Sequence, residues 1–311
     1  MVIGKPRMTA WERIVRSFKK EAALHVMLIL PLVILVIYNY APMAGIVIAF
    51  KKYKGTLGIF KSEWVGLDNF RTLFQTSGFM VALRNTVIIA VWKLVLQIIV
   101  PVSFSLLLNE MGSQGTKRII QSIIYLPHFI SWVIMAGIVG TILSPSTGFV
   151  NNVLKKITGE TIFFMGSNKW FRPVVIISSI WKNFGYSTIV YLAALAGVDP
   201  SLLEVAEIDG AGYWKRMTHV TLPCIVPTII LMSTLSIGNI LNAGFDQVFN
   251  MLNSNVMETG DILDTLVYRY GMQQANYSMS TVASLFKSLV SAVLMIISYR
   301  LAFKFSGYRL F

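Results

Sequence analysis

Residues 198–227 read Val198-Asp-Pro-Ser-Leu-Leu-Glu-Val-Ala-Glu-Ile-Asp-Gly-Ala-Gly-Tyr-Trp-Lys-Arg-Met-Thr-His-Val-Thr-Leu-Pro-Cys-Ile-Val-Pro227. Asp199 and Ser201 are N-cap residue types, and Pro200 suits a first helical turn. Leu202, Leu203, Val205, Ala206 and Ile208 give an apolar side to a helix of two to three turns. Asp209-Gly210-Ala211-Gly212 then breaks that helix and permits close backbone approach. A second short helix, from Tyr213 to about Val220, leads to Leu222-Pro223. The stretch therefore predicts a stiff helix–turn–helix knob.

On either side of the knob the chain turns apolar. Of its 311 residues, 55% are hydrophobic and only 13% charged, and the mean hydropathy is +0.66. Soluble domains are roughly 25% charged. A span needs about 20 predominantly apolar residues, and six stretches qualify: 24–50, 83–108, 119–143, 173–198, 222–244 and 279–303. In lipid each backbone must satisfy its own hydrogen bonds, so all six are read as helices. None alternates as the strands of a membrane barrel do. The fold class is an all-α membrane protein with six transmembrane helices. A short segment, 1–23, precedes the six-helix domain 24–311, and the loop 199–221 carries the knob.

The first apolar run has 27 residues, too many for the 7–15-residue core of a secretory signal, and it reads as a retained helix. Before it, Trp11, Ile14, Val15 and Phe18 recur at helical spacing among Arg13, Arg16, Lys19 and Lys20, the pattern of an interfacial helix. With both termini in the cytoplasm, the inner segments hold 13 Lys and Arg in 66 residues and the outer segments 10 in 96. That asymmetry follows the positive-inside rule and puts the knob on the cytoplasmic side. The net charge of +13 is assigned to lipid headgroups, since the basic residues flank apolar runs; no nucleic-acid-binding module is present. Cys224, the single cysteine, excludes an internal disulfide.

The knob resembles the hallmark segment of permease subunits of binding-protein-dependent ATP-binding-cassette importers. That hallmark is Glu-Ala-Ala, three residues, a glycine-containing small pair, and Leu-Pro about eleven residues later. Here it reads Glu204-Val205-Ala206, Asp209-Gly210-Ala211 and Leu222-Pro223, with Val205 where the family usually has Ala. The resemblance implies a type I importer permease fold whose coupling helix docks in a cleft of an ATPase. It assigns Glu204 to an ATPase contact, and Ala206, Gly210 and Ala211 to keeping the knob slim.

The resemblance narrows to a complex-oligosaccharide branch through Tyr40-Ala-Pro42-Met-Ala-Gly45, Trp64-Val-Gly66-Leu-Asp-Asn69-Phe70 and Arg84-Asn85-Thr86. Leu108-Asn109-Glu110, Tyr125-Leu-Pro127-His128, Gly244-Phe245-Asp246-Gln247 and Asp264-Thr265-Leu-Val-Tyr268-Arg269 point the same way. That branch serves aldouronate and rhamnogalacturonan oligosaccharides, chiefly in Gram-positive bacteria. The resemblance further implies a multi-pass protein of the cell membrane that pairs with a second related permease. Two cytoplasmic ATPases would bind ATP and Mg, and an extracytoplasmic binding protein, a lipoprotein, would deliver the sugar. Importers of another solute (an amino acid, peptide or phosphate) and a membrane scaffold or enzyme are the competing readings. No cofactor or catalytic residue is expected in the chain itself. It has no Gly-x-x-x-x-Gly-Lys-Ser/Thr loop, since Gly112-Ser-Gln-Gly115-Thr-Lys117 is misspaced. His25, His128 and His219 are scattered, so no metal site is expected.

Polar groups inside the bilayer mark candidate path residues. Lys93, Lys182 and Lys287 lie roughly 12–15 Å deep at 1.5 Å per residue, and no carboxylate of the chain is expected at that depth. They either favour anionic sugars, or pair with the second permease or with backbone carbonyls. Trp181, Asn183, Tyr186 and Tyr191 on the fourth span, with Asn239 and Asn242 on the fifth, offer the aromatic faces and amides that sugars require. As alternatives, aromatics anchor interfaces and asparagines join helices.

Overall fold

The structure is a computed structural model and describes residues 21–238 and 240–306. The expected interfacial segment around Trp11 and the path candidate Asn239 lie outside the described residues.

Helix α1 (Ala22–Phe50) is followed by a two-residue hairpin pairing, β1 (Lys51–Lys52) with β2 (Glu63–Trp64), antiparallel. Then come α2 (Asp68–Gln75), α3 (Ser77–Asn109), α4 (Gln114–Phe129), α5 (Trp132–Ile142), α6 (Phe149–Thr158) and α7 (Phe171–Ala196). The knob helix α8 (Pro200–Ile208) precedes α9 (Tyr213–Gly238), α10 (Phe245–Met251), α11 (Leu263–Tyr268) and α12 (Tyr277–Ser306). Four helices are long and apolar enough to cross a membrane singly: α1, α3, α9 and α12. The bent pairs α4–α5 and α7–α8 raise the number to six.

Helices α3 and α7 form the spine, packed along each other. At one end Ile89, Phe171, Val175, Val248 and Ile262 join α3, α7 and the segment after α9. Beside them Ala49, Leu73, Phe79, Leu266 and Val282 gather the end of α1, α2, α11 and α12. Nearer the knob, Val102, Leu106, Tyr191, Leu195, Met217 and Ile225 close the bundle. Leucines and isoleucines stay exposed around the outside, as expected where lipid tails replace water. Over Ala22–Leu35, α1 has no buried residue and is apolar all round, the pattern of a span.

Three boundaries depart from the sequence reading. The expected third span, 119–143, is two helices meeting at 108°. Pro127 lacks an N–H, the chain turns extended at Ile130, and the Ser131 hydroxyl caps α5 by accepting from the Ile134 N–H at 3.4 Å. The expected fifth span, 222–244, ends at Gly238; Leu241–Ala243 are non-helical and Gly244 sits at φ +94°. Finally, the short helix expected from Tyr213 to Val220 is not separate. It runs through a π turn at Met217–Thr221 into the span, so the knob is continuous with α9.

Candidate functional site

The knob is built by local rules. The Asp199 carboxylate accepts from the Ser201 backbone N–H at 2.9 Å, and this bond holds its carboxyl below the ordinary range. Pro200 occupies the first turn. At the other end the Ala211 N–H bonds the Ala206 carbonyl at 2.9 Å and the Gly210 N–H bonds Glu207 at 3.0 Å. That pair is a Schellman closure with Gly210 at φ +74°. No atom outside its own neighbourhood lies within 4 Å of where a Cβ at Gly210 would stand. The glycine is therefore required by its φ rather than by close approach within this chain.

Helix α8 bends 71° from α7, and Arg216 of α9 ion-pairs with Glu207 at 2.5 Å to brace the turn. Leu202, Val205 and Ile208 form an i, i+3, i+6 stripe left exposed among the described residues, Ile208 being 85% exposed. Glu204 and Asp209 stand exposed beside it, and Ala206 and Ala211 are half-buried. Of the apolar side read from the sequence, Leu202, Val205 and Ile208 face outward, while Leu203 and Ala206 are half-buried. Leu222 packs on the cluster around Ile225, while Pro223 is exposed two residues beyond the π turn.

By connectivity, the segment that follows α9 lies at the end opposite the knob. Two hollows open where α9 stops. One, of about 350 Å³, is bordered by Gln97, Ser236 and Asn242; the other, of about 390 Å³, by Asn242, Lys287, Ser288 and Ser291. Asn242 is shared by both. Gln97, Ser236, Ser288 and Ser291 were not singled out in the sequence; the i, i+3 pair Ser288/Ser291 within an apolar helix was the available signal.

The other path candidates are placed differently. Lys93 is buried and donates to the Ala243 carbonyl and to Gln247 Oε1, both at 2.6 Å. Lys182 is buried and donates to the carbonyls of Pro127 (3.1 Å), His128 (2.7 Å) and Ile130 (2.5 Å). Both lysines donate to backbone oxygens freed where a helix breaks, one of the alternatives raised for them from the sequence. Lys287 ion-pairs with Asp264. This corrects the expectation that no carboxylate of the chain reaches that depth, because the segment after α9 folds back against α12.

Tyr191 is 2% exposed inside the cluster nearest the knob, and Trp181 borders an apolar groove instead of the polar hollows. Asn183 Oδ1 meets His128 Nδ1 at 3.2 Å, and the His128 ring stacks on Tyr186 at 4.1 Å. Of the eight path candidates among the described residues, Asn242 and Lys287 line the polar hollows.

The knob is thus closed at both ends, and the polar hollows lie where α9 stops. Residues 97–307 match the family described as "Binding-protein-dependent transport system inner membrane component". The chain belongs to this family. It is a permease subunit and a multi-pass protein of the cytoplasmic membrane; it is not itself the ATPase.

The permease is 43% identical to protein LplB of Bacillus subtilis over 308 residues, covering 98% of this chain and 97% of that protein. It is 40% identical to the polygalacturonan/rhamnogalacturonan transport system permease protein YteP of Bacillus subtilis, covering 94% and 92%. The crystal structure of a bacterial ABC transporter involved in the import of the acidic polysaccharide alginate contains a chain that superposes with TM-score 0.88 at 38% identity. That likeness covers 94% of the permease and 99% of the other chain. A second crystal structure, of bacterial alginate ABC transporter in complex with alginate pentasaccharide-bound periplasmic protein, gives TM-score 0.89 over 96% and 100%. The all-helical importer-permease fold expected from the sequence is borne out.

Proposed function

We propose that this permease forms, with a second related permease, the membrane path for an acidic oligosaccharide derived from plant polysaccharide, handed over by an extracytoplasmic binding protein. The observation that carries the coupling half of this reading is the uncovered stripe Leu202, Val205, Ile208 beside Glu204, on a helix rigidly capped at both ends. Such a stripe fits an apolar cleft on a cytoplasmic ATPase. Asp209, Gly210 and Ala211 keep its far end in a fixed shape, and Leu222–Pro223 mark where it joins the bundle.

On the substrate side, Asn242, Gln97, Ser236, Ser288 and Ser291 offer amides and hydroxyls to sugar hydroxyls. Lys287 is the cation bordering them, already shared with Asp264. The acidic character of the sugar is supported by the substrates named for YteP and the alginate importer. ATP and Mg bind the partner ATPases, whose closure drives the knob and opens the path outward.

The test is reconstitution of the permease with its partner permease and ATPase in vesicles. ATP hydrolysis is followed with binding protein that is empty, loaded with a neutral oligosaccharide, or loaded with a uronate oligosaccharide. Stimulation by the loaded protein, highest with the uronate and lost in Val205→Asp with assembly intact, supports the reading. Stimulation by neither sugar from an intact complex overturns the substrate class. Full stimulation in Val205→Asp overturns the docking stripe.

A further inference from the structure

We propose that the groove between α5 and α7, together with the loop above it, is a binding site for an anionic phospholipid. The groove encloses about 260 Å³, and its walls include Val139, Ile142, Val174 and Ile177. Its one hydroxyl, on Ser178, is already bonded to the Val174 carbonyl at 2.6 Å and to the Gln247 amide at 2.8 Å. Apart from the indole N–H groups of Trp170 and Trp181 its walls offer no further polar side chain to hold a water, so the groove suits an apolar chain. On the α7 side its lining residues run from Trp170 to Trp181. Eleven residues of helix separate them, roughly 16 Å at 1.5 Å per residue, about half the thickness of the hydrocarbon core. The groove is thus as long as one leaflet is deep.

The mouth carries the charge for a headgroup. The exposed Lys169 ammonium lies 5.8 Å from the Trp170 ring centroid, and Lys169 has no salt bridge among the described residues. Within residues 145–172 there are four basic residues (Lys155, Lys156, Lys169 and Arg172) against one acid, Glu160.

A second, independent feature places this mouth at the lipid surface. On α6 the residues Phe149, Val153 and Ile157 form an exposed i, i+4, i+8 stripe, Phe149 at 73% and Ile157 at 77%, with Lys155 and Lys156 beside it. An amphipathic helix of that kind lies in the headgroup plane. Its attitude is fixed by buried Asn151, whose amide donates to the carbonyls of Leu143, Ser144 and Ile162 at 3.0–3.1 Å. Leu143, whose carbonyl Asn151 holds, also borders the groove, so α6 is tied to the groove's wall. The site takes one acyl chain between the helices and the phosphate at Lys169.

The experiment uses the assembled transporter in nanodiscs. With Cys224, the single cysteine, replaced by Ser, Ile177→Cys is labelled with a fluorophore. Phosphatidylglycerol or phosphatidylcholine brominated in the acyl chains is then titrated in. The half-quenching mole fraction is expected to be about fivefold lower for phosphatidylglycerol, the factor given by one lysine near an anionic surface. Lys169→Glu should erase that preference while the label remains quenched. Equal quenching by the two lipids overturns the headgroup assignment. An unquenched label, with the unlabelled Ile177→Cys variant cross-linking to the second permease, overturns the site, because protein then fills the groove.

Discussion

Lys93 of α3 donates to Gln247 of α10 at 2.6 Å across 154 positions of sequence. The Gln247 amide passes the connection on, donating to the Val175 carbonyl at 2.7 Å and to Ser178 Oγ at 2.8 Å on α7. One chain of buried polar groups therefore fastens three elements where α9 has ended. Gly244 takes part as well: at φ +94° its Cβ would stand 3.2 Å from the Lys93 ammonium. A side chain there would both strain the turn and crowd the amine.

Removing the donor should expose how much this connection matters. Lys93→Met leaves the Ala243 carbonyl and Gln247 Oε1 buried without their donor, a loss of roughly 2 kcal/mol or more. The thermal midpoint of the purified permease should drop. The double variant Lys93→Met/Gln247→Leu should be less unstable than the sum of the singles, since it removes both ends of one bond.

Lys182 serves the other break. Its ammonium holds three carbonyls between α4 and α5 and lies 5.5 Å from the Trp132 ring centroid. Lys182→Met should therefore lower uptake of acidic and neutral oligosaccharides by the same factor, measured side by side in vesicles. A selective loss of the acidic sugar would mean that this lysine faces the path.

Where α4 meets α7, Gly185 is in contact with the Ile124 backbone. A Cβ on Gly185 would overlap the Ile124 carbonyl, which cannot swing aside as a side-chain tip can. Gly185→Ala should destabilise the permease by about 1–3 kcal/mol through overpacking. Gly137→Ala, with open space at its Cβ, should be close to neutral in the same unfolding assay.

Gly210 and Gly212 separate two reasons for a glycine. Gly210 at φ +74° closes α8; Gly210→Ala should cost about 1 kcal/mol or more. The amide of Ala211 should then exchange hydrogen faster. Gly212, at φ −66°, should tolerate Ala in the same exchange measurement.

The Asp199 cap should be insensitive to pH across the working range. Because its carboxyl is held below the ordinary value of 3.8 by the Ser201 N–H, its stabilisation is present above that value. It is lost only as pH falls through the lowered folded value. Exchange protection of the first turn of α8 should stay level from neutral pH down to about 4 and then decline; Asp199→Ala should remove it at every pH.

Much of this architecture was legible in the chain itself, because its causes are local. Apolar length set the spans, and the knob followed from Asp199, Pro200 and Gly210, whose hydrogen bonds reach no more than five residues. Even the break at Ile130 was signalled by Pro127 and Ser131, although apolar content alone read the stretch as unbroken. The fate of the three membrane lysines was decided elsewhere. Their partners lie 150 and 154 positions away for Lys93, 52 to 55 for Lys182 and 23 for Lys287. Two meet carbonyls that are free only because a neighbouring helix stops there, and the third meets an aspartate that sequence placed outside the bundle. A sequence shows that a charge must be neutralised at a given depth. Only the packed fold determines which oxygen arrives to do it.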